Sequence, residues 1–153
     1  MSATRFHKYD RKVRAAVTRR LPQAVETRMA ELFDVSLNLE DAAPTRETLL
    51  EAVKDVDVLV PTVTDEIDAA LIDAAGPDLK LIANFGAGTE HIDLEAARAR
   101  RIIVTNTPGV FTDDTADLAM TMIIAVPRRL PASGALLRRG EWAGWKPSGL
   151  LGN

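Results

Sequence analysis

Leu79–Asp93 reads LKLIANFGAGTEHID, and this segment determines which fold the rest of the chain can adopt. The apolar run Leu79–Ala83 predicts a buried strand, which ends in a glycine turn at residues 86–88, and Asp93 then begins a helix. Glycine supplies positive φ angles and allows another group to approach the backbone closely. A strand that stops at such a turn leaves backbone N–H groups facing outward, which suits a small anion such as a carboxylate. Alone, the glycine pair is equally explained by backbone geometry.

Working outward from this segment, strands alternate with helices along most of the chain. Strand patterns occur at Val13–Val17, Phe33–Leu37, Val56–Val60, Leu79–Ala83 and Ile102–Thr105. Helix patterns occur at Gln23–Leu32, after the N-cap candidate Thr45, from Thr64–Glu66 to Gly76 in the C′ position, and at Asp93–Arg101.

This alternation predicts βαβ units and a parallel sheet with helices on both faces. We expect an α/β fold with a flavodoxin-like doubly wound parallel sheet and the strand order 2-1-3-4-5. Ligands of such sheets bind at the carboxyl ends of the strands. The glycine turn lies at that edge, and so does Pro61–Thr64 after the third strand.

The segment after the fifth strand differs in character. Asn106–Gly109 predicts a turn, and Thr112 begins a long helix that is apolar nearly all the way round. A surface helix has a polar face, so we expect this one to be buried between domains or between subunits. Pro127 is expected to end or kink it near Val126.

Composition narrows the classes of function. The chain has 153 residues, a net charge of −3 and basic residues spread along its length, which argues against nucleic acid as a partner. There is no cysteine, and no histidine pair has helical spacing, so we expect no metal site. The N-terminal residues MSATRFHKYDRK lack an apolar core, and no apolar run could span a membrane; a cytoplasmic protein is the expectation.

Several motifs then occur in a familiar order. They are VTRRLP at Val17–Pro22, VLVPTVTDEID at Val58–Asp68 and NFGAGTEHIDLEAARARRIIVTNTPGVFTDDTADLAMTMI at Asn84–Ile123. Together they resemble the D-isomer-specific 2-hydroxyacid dehydrogenase family, within it most of all the glyoxylate/hydroxypyruvate reductase branch. TNTPGVFTDDTADLA is the most specific piece. Glu90 stands where the family usually has Asp.

The resemblance implies that the chain is the N-terminal portion of a two-domain enzyme. Residues 1–106 would be the N-terminal part of the substrate-binding domain. Residues 107–153 would hold a hinge, a long dimer or interdomain helix, an arm and the start of a truncated Rossmann dinucleotide-binding domain. The fingerprint G-x-G-x-x-G does not occur in the sequence. The family's catalytic Arg, Glu and His match no residue here, so the fragment itself is expected to be inactive.

The resemblance also assigns substrate-binding roles. Gly86, Ala87 and Gly88 match the turn whose backbone N–H groups bind the substrate carboxylate, in agreement with the interpretation of the turn itself. Val63 matches a loop residue that walls the substrate, although it equally suits a plain helix entry.

On the cofactor side, Phe111 and Thr115 match positions of the long helix that contact the nicotinamide. Thr115 has the alternative of bonding the carbonyl four residues earlier in its helix. Trp145 matches an aromatic residue that reaches into the partner subunit's active site, or it packs with Trp142.

Three other polar residues are candidates for catalysis or substrate binding. His91 follows the glycine turn and is interpreted as a local hydrogen-bonding residue rather than a base. Arg19 and Arg20 could attract an anionic substrate, yet solvated turn residues are the commoner case.

By resemblance the whole enzyme transfers hydride from NADH or NADPH to a small 2-keto acid, glyoxylate or hydroxypyruvate, and gives the D-2-hydroxy acid. A homodimer through the 112–126 helix and the 130–150 arm is the expected partner arrangement. A stand-alone flavodoxin-like anion-binding or regulatory domain is the alternative from another class. Formate dehydrogenase is the alternative enzyme.

Overall fold

The computed structural model describes residues 11–145. Their strands are β1 (Arg14–Val17), β2 (Asp34–Ser36), β3 (Val58–Val60), β4 (Leu81–Ala83) and β5 (Ile103–Thr105). Their helices are α1 (Gln23–Leu32), α2 (Arg46–Ala52), α3 (Ala69–Ala74), α4 (Leu94–Ala99), α5 (Thr112–Ala125) and α6 (Leu130–Arg138). Each predicted strand is present, shortened by one or two residues at its ends.

The five strands form one parallel sheet in the order β2-β1-β3-β4-β5. The predicted α/β fold with the flavodoxin-like strand order is therefore confirmed. Because every strand runs the same way, the segments that follow β3, β4 and β5 leave the sheet at one shared edge.

The larger core lies on one face of the sheet. Alternate strand residues point to opposite faces, and Ala16, Leu59 and Ile82 line this one. Helices α2, α3 and α4 cover it, with Val53, Leu71, Ile72 and Ala97 each at most 1% exposed. Burial of these apolar side chains is the main stabilising term of the first part of the chain.

The opposite face is covered less completely than the sequence predicted. Val17 and Val60 form a small cluster there, against which Met29 of α1 packs. Ile103 of β5 points to this face and is 64% exposed. The buried residue of helix α1 is Glu26, whose carboxylate accepts a hydrogen bond from the Leu21 N–H at 2.8 Å.

The predicted start of α3 is wrong. Helix α3 begins at Ala69 rather than at 64–66, because Asp68 accepts the Leu71 N–H at 2.8 Å and is the cap. Gly76 directly follows the C-cap residue Ala75 of α3, as predicted, but its φ is not positive. It is required for space instead, because a Cβ there would overlap the carbonyl oxygen of Lys54.

After Pro108 the chain passes into a second compact unit, which holds α5 and α6. Helix α5 begins at Thr112 as predicted and ends before Pro127, so the expected break at this proline is confirmed. None of its 14 residues is buried. Residues 146–150 of the predicted dimer arm lie outside the described residues. Among residues 11–145, each helix is too short or too polar to span a lipid bilayer.

Candidate functional site

Three loops meet where β3, β4 and β5 end. Phe85 continues the pairing of β4 with β3, because its N–H donates to the Pro61 carbonyl at 2.9 Å and it forms a bridge with Thr62. Asn84 continues the pairing with β5, as its N–H donates to the Thr105 carbonyl at 2.9 Å. The glycine turn therefore starts from a backbone that is held on both sides.

Asn84 lies beneath the turn and is 3% exposed. Its side-chain amide donates to the Gly88 carbonyl at 2.8 Å and to the Gly86 carbonyl at 3.2 Å. Its carbonyl oxygen lies 3.0 Å from Nε2 of His91. His91 is thus the local hydrogen-bonding residue that the sequence predicted.

The segment after β5 supplies the remaining partners of the turn. The Asn106 side chain donates to the Ala87 carbonyl at 2.7 Å, and the Thr107 N–H donates to the Gly86 carbonyl at 3.0 Å. All three carbonyls of the turn therefore accept hydrogen bonds from the protein.

The N–H groups of the turn, unlike its carbonyls, lack hydrogen-bond partners within residues 11–145. Those of Gly86, Ala87, Gly88 and Thr89 donate to no acceptor within residues 11–145. Gly86 is buried, whereas Ala87 is exposed and Gly88 is partly exposed. A short backbone segment with free N–H groups and occupied carbonyls can bind an anion without a charged side chain.

Of the two reasons predicted for glycine at 86 and 88, close approach is confirmed and positive φ is wrong. Neither residue has a positive φ. At Gly86 a Cβ would lie 2.7 Å from Cγ1 of Val63, and at Gly88 it would overlap the carboxylate of Glu90. Close approach, not a left-handed backbone, is what these glycines provide.

The loop after β3 is held by a buried carboxylate. Asp65 is 3% exposed, and its Oδ2 accepts from the Thr18 hydroxyl at 2.5 Å and from the Thr62 N–H at 2.7 Å. Val63 projects from this loop and is 59% exposed. The loop thus brings one apolar side chain beside Gly86.

Arg19 borders the same edge but is already paired. Its Nε donates to Asp41 at 2.9 Å, and this hydrogen bond raises the Arg19 pKa and lowers that of Asp41. The Arg20 N–H also donates to Asp41, at 3.0 Å. Arg19 is therefore the partner of an acid rather than a solvated turn residue.

The remaining candidates belong to the second unit. Phe111 is 56% exposed, and its carbonyl accepts the Thr115 N–H at 2.9 Å in the first turn of α5. Trp145 is 80% exposed and Trp142 is 58% exposed. Their assigned roles stay predictions. Residues 11–145 contain no cluster of acids and histidines that could hold a metal ion.

Comparison with known proteins places this arrangement in a family. The sequence model for D-isomer specific 2-hydroxyacid dehydrogenase, catalytic domain, matches residues 15–144. This chain belongs to the D-isomer specific 2-hydroxyacid dehydrogenase family.

Its relatives within that family share sequence and fold. A glyoxylate reductase from Thermococcus litoralis is 43% identical over 145 residues, which cover 92% of this chain and 44% of that protein. A protein structure from Thermus thermophilus has a TM-score of 0.76 at 42% identity, over 91% of this chain and 44% of the other.

A third relative carries ligands. It is an NADPH-dependent glyoxylate/hydroxypyruvate reductase from Sinorhizobium meliloti, solved with NADP and malonate; its TM-score is 0.68 at 32% identity, over 89% of this chain and 41% of the other. The chain spans less than half the length of all three relatives.

Sequence reasoning missed three residues that hold these loops. Asn84 and Asn106 follow β4 and β5 directly, and Asp65 follows β3 by a few residues. A polar residue just past a buried strand is the signal that could have found them, since parallel strands bring their carboxyl ends together. Their bonds to specific carbonyls and N–H groups required the structure.

Proposed function

We propose that this chain is the substrate-binding part of an NAD- or NADP-dependent oxidoreductase that reduces glyoxylate or hydroxypyruvate to the D-2-hydroxy acid. The observation that carries the proposal is the glycine turn, in which the carbonyls of Gly86, Ala87 and Gly88 are occupied while the N–H groups have no acceptor among residues 11–145. Glyoxylate reductases are prominent among the relatives.

The turn suits the carboxylate end of a 2-keto acid. Each N–H donates one charge-assisted hydrogen bond, and such bonds are stronger than those between neutral groups. Val63 lies beside Gly86 and would close one wall against the small carbon skeleton. A neutral backbone cradle also avoids leaving a buried cation without a partner in the empty enzyme.

The nicotinamide cofactor would be held mainly by chain beyond the segment present here, because no G-x-G-x-x-G occurs in the sequence. Phe111 and Thr115 fit a contact with the nicotinamide side, since both side chains are exposed at the start of α5. When bound, the cofactor supplies the hydride. The chain's own residues bind and orient the acid and help to exclude water.

We assign residues 1–106 to the substrate-binding domain and residues 107–153 to the hinge, the long helix and the arm. Asn106–Gly109 would be the hinge, which accords with the division of the chain after Pro108 and with the positive φ of Gly109, 79°. A homodimer would cover the exposed apolar side chains of α5, and Trp145 would reach the partner's site.

The test is an NMR titration of the 15N-labelled 153-residue chain with sodium glyoxylate. We expect saturable shifts of the Gly86, Ala87 and Gly88 amides with a Kd of about 1 mM, because a ligand of so few atoms binds weakly. Glycolaldehyde, which lacks the carboxylate, is the matched control and should shift none of them. Equal shifts with glycolaldehyde, or shifts only elsewhere, contradict the proposal.

A second measurement addresses the chemistry. The chain mixed with glyoxylate and NADH should leave the absorbance of the reduced cofactor unchanged, because no residue here matches the family's catalytic Arg, Glu and His. Turnover by this chain alone would show that the assignment of the catalytic groups is wrong.

A further inference from the structure

We propose that Asn84, fixed in orientation by His91, is a positioning residue that aims the N–H groups of the glycine turn at the substrate carboxylate. The inference rests on the proposed function of that turn. The family comparison assigns no role to Asn84 or His91. The inference starts from the three hydrogen bonds of the Asn84 side chain.

The first step is the direction of the N–H groups. In a trans peptide, the carbonyl of one residue and the N–H of the next point in opposite directions from one rigid plane. Asn84 and the Thr107 N–H together hold the Gly86 carbonyl inward and thereby turn the Ala87 N–H outward. Asn84 also holds the Gly88 carbonyl and so turns the Thr89 N–H outward. Neither N–H has an acceptor within the described part of the chain.

The second step is the role of His91. A side-chain amide has two donor hydrogens, and Asn84 uses both on the turn, so its oxygen must be an acceptor. Nε2 of His91, 3.0 Å away, must therefore carry a hydrogen and donate it. Neutral His91 is therefore the Nε2–H tautomer. The Asn84 amide cannot flip, because the flipped side chain would place its oxygen next to the carbonyl oxygens of the turn.

The third step is burial. Asn84 is 3% exposed, so water cannot readily take over its two donors if the side chain is lost. The Gly88 carbonyl would then turn toward solvent and the Thr89 N–H would turn away from the ligand, while the Gly86 carbonyl would keep only the Thr107 N–H. Loss of Asn84 should weaken carboxylate binding more than it weakens the fold.

The experiment compares Asn84→Ala with Asn38→Ala in the 153-residue chain, with sodium glyoxylate as the probe. Asn38 is a matched control, since its amide also donates to two backbone carbonyls, those of Thr18 and Ala42, both at 2.7 Å. It follows β2, three strands from β4 in the sheet and about 14 Å away at the usual strand spacing. We expect Asn84→Ala to bind glyoxylate about tenfold more weakly, and Asn38→Ala to bind it like the unmodified chain.

His91 offers a second pair of variants should Asn84→Ala fail to fold. His91→Gln places an amide donor near the position of Nε2 and should retain the affinity for glyoxylate. His91→Phe has similar bulk and no donor, and should weaken binding about threefold. The 15N shifts of the imidazole in the unmodified chain should show hydrogen on Nε2, as donation to the Asn84 oxygen requires.

The outcomes separate this inference from the proposed function. If the unmodified chain binds glyoxylate and Asn84→Ala binds it equally well, Asn84 is not a positioning residue while the proposed function stands. Hydrogen on Nδ1 alone in neutral His91 likewise overturns the inference. If the unmodified chain does not bind glyoxylate at all, both proposals fall together.

Discussion

Gly76 and Gly88 show how one residue type meets two different needs. A Cβ at Gly76 would overlap the backbone carbonyl of Lys54, which is fixed at the end of α2, while the Gly76 N–H donates to the Val53 carbonyl at 3.0 Å. At Gly88 the nearest atoms to a Cβ would be those at the end of the exposed Glu90 side chain, which can rotate away. The first position is constrained by backbone and the second by a movable group.

Alanine substitutions at these two positions should therefore differ in cost. We expect Gly76→Ala to lower the free energy of unfolding by about 2–3 kcal/mol, because two backbone segments must separate. Gly88→Ala should change it by less than about 0.5 kcal/mol, since Glu90 moves and the unfolded chain loses freedom. Urea denaturation of both variants measures the difference; equal losses would contradict the reasoning from contacts.

The sequence predicted the presence of the glycine turn but not the hydrogen bonds and close contacts that hold it. The spacing of apolar runs and glycines reveals where a strand ends and a turn begins. It does not reveal that Asn84 contacts the carbonyls of Gly86 and Gly88, or that glycine is needed for space rather than for a positive φ. Such facts depend on distances between loops that the fold brings together, so they had to come from coordinates.

At the scale of elements, Asp57 joins three strands at the amino-terminal edge of the sheet. Arg11 donates to both of its oxygens, at 2.6 and 2.8 Å, and the Arg14 N–H donates to it at 2.8 Å. Its own carbonyl accepts the Lys80 N–H at the entry of β4, at 2.9 Å. The Arg11 hydrogen bonds and that of the Arg14 backbone lower the Asp57 pKa to about 2.

A lowered pKa makes stability depend on pH in a defined direction. The ionised Asp57 stabilises the fold fully above its ordinary pKa of 3.8, and that contribution is lost as the pH falls toward about 2. We expect Asp57→Asn to cost about 1–2 kcal/mol at pH 7, allowing for the 44% exposure of Arg11, and to flatten the decline between pH 4 and 2.

Asp55→Asn is the matched control for this change. Asp55 also pairs with an arginine, at 3.0 Å from Arg14, but its side chain is 91% exposed. Its substitution should alter stability by less than about 0.5 kcal/mol, because solvent screens the pair. Urea unfolding at a series of pH values measures all three proteins. A slope between pH 4 and 2 that is the same with and without Asp57 would assign the acid sensitivity to other carboxylates.

Strand positions and their order followed well from the sequence, while one helix start did not. β-branched runs bounded by turns fixed β3, β4 and β5 to within two residues. The start of α3 was misplaced because Asp65 and Asp68 are both acids near its beginning, and either could be a cap. Only the contacts show that Asp65 bonds the loop and Thr18, whereas Asp68 caps the helix.

For the whole molecule, the uncovered apolar surface is the feature that needs explanation. All the large apolar side chains of α5 are more than half exposed: Leu118, Met120, Met122, Ile123 and Ile124. A soluble protein seldom leaves so many apolar side chains bare, because water contact with them is unfavourable. Because this helix lacks a polar face, the sequence predicts that it is buried between domains or between subunits. The surface that covers it stays a prediction.

We expect a second copy of the chain to cover α5, so the 153-residue chain should have twice the mass of one chain in size-exclusion chromatography with light scattering. Ile123→Glu should give the single-chain mass, because a carboxylate would be buried without a partner at the interface. Leu39→Glu is the matched control, since Leu39 and Ile123 are each 64% exposed and only Ile123 lies on α5. A dimer that survives Ile123→Glu, or that is lost equally with Leu39→Glu, would place the interface elsewhere. A single-chain mass for the unmodified protein would mean that no second copy covers this helix. The covering surface would then be a segment that the longer relatives have and this chain lacks.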